Sequence, residues 1–108
     1  MGAMPRVAQP NGSEEAQEPV ALLGNLIRTS VLRFLRANPD ATSASISEAL
    51  GVRSTTIHAY LSDLERAGLV IADPPNMGER RGIWVKYRAN DEAITDLYLR
   101  LGLAIGEF

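Results

Sequence analysis

Residues 42–71 read TSASISEALGVRSTTIHAYLSDLERAGLVI, and this stretch decides the fold. Thr42 or Ser43 offers a hydroxyl cap for a short helix with Ile46, Ala49 and Leu50 facing inward, and Gly51 stops it. Three residues later Ser54 or Thr55 opens a longer helix. Its apolar side is Ile57, Tyr60, Leu61, Leu64 and Ala67, and Gly68 ends it. Two helices joined by so tight a glycine turn have the outline of a helix-turn-helix. Leu69 to Ala72 is short, apolar and partly β-branched, which predicts a strand.

Upstream, Pro19 suits the first turn of a helix, where a missing N–H costs nothing. From there Leu23, Ile27, Val31, Phe34 and Leu35 recur at helical spacing, which predicts one continuous helix ended by Asn38-Pro39-Asp40. Val20, Leu22 and Leu26 form a second apolar strip beside it. Residues 1–19, with few large apolar groups, read as a disordered tail whose opening Met-Gly-Ala-Met resembles a cloning scar. Downstream, residues 74–82 read as a loop. Ile83 to Ala89 then alternates, with Ile83, Val85, Tyr87 and Ala89 on one face and Trp84, Lys86 and Arg88 on the other. Asn90 or Asp91 caps a last helix carrying Ile94, Leu97, Tyr98, Leu101 and Ile105. The expected class is mainly α with a small β-hairpin. Three helices, two strands and a fourth helix over residues 20–108 give a single winged helix-turn-helix domain.

Composition narrows the function. The chain has 108 residues, 45% apolar and 22% charged, enough for one packed domain and unlike a mostly disordered chain. No run approaches the roughly 20 apolar residues of a membrane span, and no apolar signal core follows the start, so the expected location is cytoplasmic. With no cysteine and one histidine, His58, neither a metal site nor any other cofactor is expected. No nucleophile–base pair presents itself, so no enzyme is expected. Asp73-Pro74-Pro75-Asn76 resembles the Asp-Pro-Pro-aromatic motif of adenine methyltransferases, but Asn76 stands at the aromatic position and the chain is too short for that fold. A proline turn is the better reading. Net charge is −2, yet residues 78–89 hold Arg80, Arg81, Lys86 and Arg88 against Glu79 alone, a local basic patch.

Leu50-Gly51-Val52, Ser54-Thr55-Thr56-Ile57, Leu61, Leu64 and Ala67-Gly68-Leu69-Val70 together resemble, without a gap, the turn and recognition helix of ArsR-like winged-helix transcriptional regulators. The related MarR-like branch is similar too. Leu32 to Leu35 resembles the family's first helix, and Gly82 with Tyr87 its wing, so the resemblance spans residues 22–102. Two positions depart from it. Arg53 stands where a capping serine is usual, which predicts that the cap shifts to Ser54 and the helix start moves by one residue, and Ala59 stands where arginine or histidine is common.

The resemblance implies a double-stranded DNA partner. Its recognition-helix candidates are Arg53, Ser54, Thr55, Thr56, His58, Ala59 and Ser62, in the major groove. Arg80, Arg81, Lys86 and Arg88 are the wing candidates, for backbone phosphates or the minor groove. Family members pair through terminal helices, so a homodimer is expected, with Val20, Leu22, Leu26, Leu97, Leu99, Leu101 and Leu103 as its interface. A small-molecule or protein effector cannot be read from these residues. The competing reading is a winged helix used for protein contact, favoured by the neutral balance of residues 20–108, by Asp63 and Glu65, and by Trp84.

Overall fold

A computed structural model describes residues 14–75 and 84–107. Two helices open the chain, α1 (Glu14–Leu23) and α2 (Leu26–Ala37). The continuous helix expected from Pro19 is therefore broken, and the break has a local cause. Asn25 caps α2 by accepting the Arg28 N–H at 3.0 Å, which ends α1 and restarts the helix in a new direction. Gly24 makes the corner. A Cβ there would lie 2.5 Å from the Val20 carbonyl oxygen, so only glycine fits. The apolar spacing runs on across the corner, which hides it from periodicity.

The stretch read as a tail is helical from Glu14, and Pro19 is fully buried inside α1 rather than starting the helix. Tertiary packing supplies what composition lacks. α1 lies against α5, and Glu18 reaches Arg100 there at 3.2 Å.

Strand β1 (Ala41–Thr42) follows, then α3 (Ser43–Leu50) and α4 (Ser54–Arg66), then β2 (Val70–Asp73), β3 (Lys86–Ala89) and α5 (Asp91–Ala104). The sheet is antiparallel in the order β1-β3-β2, with Ala41 opposite Tyr87 and Val70 opposite Ala89. β1, two residues long, was not anticipated, and β3 is shorter than the alternation from Ile83 implied. Ile83 lies outside the described residues. Thr42 caps α3 in a reciprocal box with Ser45. Gly51 ends α3 at φ +66°, a conformation that favours glycine. The turn is then held by Ser47, whose hydroxyl donates to the Val52 carbonyl at 2.5 Å.

The core joins Val31, Leu32 and Leu35 of α2 to Ile46 of α3 and to Ile57, Leu61 and Leu64 of α4. Leu69, Val70, Ala72, Tyr87, Ile94 and Leu97 close it, and no polar residue is buried among the described ones. Several residues read as inward lie outside. Ala49 and Ala67 are exposed, and so are Tyr98 and Ile105, because past its first turns α5 packs mainly on α1 and buries only a narrow stripe. Asn90 caps α5 and anchors it, donating through Nδ2 to the Gly68 carbonyl at 2.9 Å.

Candidate nucleic-acid interface

The burial of Ile57, Leu61 and Leu64 fixes the rotation of α4 about its axis. Ser54, Thr55, His58, Ala59 and Ser62 consequently share the exposed side, with Arg53 exposed just ahead and Thr56 half-buried at the edge. A helix with three- and four-residue spacing of small polar groups on its free face can lie close to another surface. Arg53 is the N-cap residue and makes no side-chain cap bond, so the start does not shift, contrary to expectation. The Ile57 N–H bonds to the Arg53 carbonyl at 3.0 Å and begins the helix without a hydroxyl. The first-turn N–H groups of α4 thus lack the acceptor a capping serine would supply.

His58 is not simply solvated. Its Nε2 lies 3.3 Å from the Ser43 hydroxyl at the start of α3. Both residues line a notch of about 320 Å³ with Thr42, Ala44, Trp84, Val85 and Tyr87. Ser43 was missed as a site residue because only the pairing of α3 with α4 brings it to His58. Trp84 was expected to share a face with Lys86 and Arg88. It precedes β3, so strand alternation does not reach it, and it stands at this notch instead.

Lys86 and Arg88 point elsewhere. They sit opposite Asp73 and Ile71 and line a groove of about 550 Å³ with Pro39, Asp40, Ala72 and Pro75, to which α4 contributes nothing. Arg80 and Arg81 lie outside the described residues.

Asp63, one of the two acids of α4, is paired within the molecule. Asp63 holds Arg28 at 3.3 Å and Arg66 at 3.4 Å. The Arg28 guanidinium also stacks over Tyr60, 5.2 Å from the ring centre, and donates to the Ala21 carbonyl at 3.0 Å. Asn25 donates to the Tyr60 hydroxyl at 3.3 Å. The corner between α1 and α2 is thereby tied to the middle of α4, which fixes the exposed face of α4 relative to the terminal helices.

Among the expected interface residues, Val20, Leu26, Leu99 and Leu103 are exposed, Leu26 at 80%, whereas Leu22 and Leu101 are half-buried. Leu97 is 2% exposed and belongs to the core of its own chain, which removes it from any interface. Spacing alone did not separate it, since it shares the helical stripe with Leu101. Tyr98 on α5 and Ile105 just past its end add exposed apolar surface that the expected interface omitted.

Residues 25–71 match a family model described as winged helix-turn-helix DNA-binding. With the sheet and the α3–turn–α4 unit, the architecture follows. The fold is a winged helix-turn-helix. In it α4 occupies the recognition position and β2 with β3 the base of the wing. A crystal structure of a predicted DNA-binding transcriptional regulator from E. coli superposes at TM-score 0.60 with 14% identity, over 84% of this chain and 90% of that one. A homodimeric winged helix-turn-helix DNA-binding domain from Mycobacterium bovis, described as a possible ArsR-family transcriptional regulator, superposes at 0.56 with 25% identity, over 94% and 92%. Streptococcus pneumoniae FabT, solved in complex with DNA, superposes at 0.51 with 23% identity, over 85% and 68%. No curated protein sequence matches the chain significantly. Among the described residues of this winged helix-turn-helix, no helix is long and apolar enough to cross a membrane.

Proposed function

We propose that the chain is a sequence-specific, double-stranded DNA-binding transcriptional regulator. It acts as a homodimer, with α4 in the major groove and the wing on the backbone or in the minor groove. The observation that carries this is the free face of α4, where Ser54, Thr55, His58, Ala59 and Ser62 stand outward while Ile57, Leu61 and Leu64 hold the helix to the core. Small side chains let a helix approach base edges closely, and hydroxyls serve as donors or acceptors there. Internal neutralisation of Asp63 removes one objection to a polyanion partner. The solved relatives include a homodimer and a DNA complex, which supports both parts of the reading.

Binding selection from random duplexes at a fixed salt concentration tests it. The expected product is a near-palindromic motif whose half-sites lie about one helical turn, roughly 34 Å, apart. Recovery of no motif contradicts sequence-specific binding. The exposed Trp84 and the net charge of −2 favour a second reading, a winged helix that contacts protein. Binding to DNA that weakens with salt as counterions are released separates the two.

A further inference from the structure

Trp84, the one tryptophan of the chain, is 75% exposed, a large apolar ring left in solvent. Its surroundings are specific. It stands at the notch where α3, α4 and the start of β3 converge, beside the Ser43–His58 pair. We infer that this notch seats one sugar–phosphate unit of duplex DNA, with the indole against the deoxyribose and the Ser43–His58 pair donating to the phosphate. The inference rests on the DNA-binding reading and adds a site to it.

Three features carry it. The first is amphipathic match. An indole offers an apolar face and a single N–H donor, and the neighbouring pair offers hydroxyl and imidazole. A sugar–phosphate has the same two characters side by side. The second is hydrogen-bond logic. If the His58 Nε2–H donates to Ser43 Oγ, the serine proton is free to donate onward to an anionic oxygen. A seated phosphate therefore selects that tautomer. The third is charge. The described residues lining this notch include no carboxylate, whereas the groove at Lys86 and Arg88 also holds Asp40 and Asp73. Among the described lining residues an anion beside Trp84 meets no fixed negative charge. His58 lies on the same exposed side of α4 as Thr55 and Ser62, so a strand passing the recognition helix also passes the notch. Contacts of this kind fix position on the duplex and carry no sequence information.

The test uses Trp84 as its own reporter. The full chain is titrated with the selected duplex and with a scrambled one. Tryptophan emission and its quenching by acrylamide are read beside the anisotropy of labelled DNA. In the complex, emission should change with the same midpoint as anisotropy, and acrylamide quenching should fall. Trp84→Ala, and separately Ser43→Ala, should weaken binding about tenfold on both duplexes alike. Trp84→Phe should recover most of the loss. Circular dichroism melts should stay at the wild-type temperature, since both side chains stand outside the core. Anisotropy that reports binding while emission and quenching stay unchanged, with Trp84→Ala as tight as wild type, overturns the inference and leaves the DNA reading intact. Wild-type protein that binds neither duplex overturns both.

Discussion

Thr55 and His58 sit on one face of α4, but their surroundings differ, and we propose different tasks for them. Thr55 is exposed in the first turn with no side-chain partner among the described residues, while His58 is engaged with Ser43 across the notch. Thr55→Ala should therefore relax base preference at one position of each half-site, by roughly 1–3 kcal/mol if a good contact is lost. His58→Ala should weaken binding to all duplexes about equally. Competition binding against a panel of single-base variants checks both, and a relaxed preference in His58→Ala with an unchanged one in Thr55→Ala would reverse the assignment. Such roles were only half legible beforehand. Helical period identified the outward residues of α4, but the partner of His58 comes from α3, and no spacing within one helix contains it.

The elements differ in how openly the chain declares them. α3, α4 and the turn between them were legible because caps, a stopping glycine and apolar period agree at Thr42, Gly51, Ile57, Leu61 and Leu64. The corner at Gly24–Asn25 was not, because Leu23, Ile27 and Val31 keep step across it, and the two-residue β1 is too short for any pattern. Leu61, at 1% exposure, is the element-scale test of packing. Leu61→Ala should cost about 2–5 kcal/mol in denaturant unfolding, and a loss well under 1 kcal/mol would contradict the packing of α4. The expected wing residues supply a second test. Arg80 and Arg81 lie outside the described residues, and their expected role is electrostatic. Replacing both by alanine should weaken binding to all duplexes and flatten the salt slope by up to about two units, with little change in melting temperature. Equal slopes would remove the pair from the DNA interface.

At the scale of the whole molecule, exposed apolar residues gather on the terminal helices: Val20 on α1, Tyr98, Leu99 and Leu103 on the adjacent α5, and Ile105 just past its end. We propose these residues as the association surface of the dimer, since exposed apolar patches mark interaction sites. Sedimentation equilibrium at micromolar concentration should return a dimer, and Leu103→Glu should shift it to monomer without unfolding it. A wild-type monomer, with and without DNA, would contradict the pairing. In a dimer paired there, the corner that joins these helices to α4 through Arg28, Asn25, Tyr60 and Asp63 would set how far apart the two copies of α4 stand. The central claim is that this assembly reads duplex DNA through α4, and one measurement addresses it most directly: anisotropy titration of the selected and the scrambled duplex at several salt concentrations. The account predicts tighter binding of the selected duplex at every salt. It also predicts log affinity falling linearly with log salt, by about 0.9 per phosphate contact. Equal affinity for both duplexes, with no dependence on salt, would contradict it.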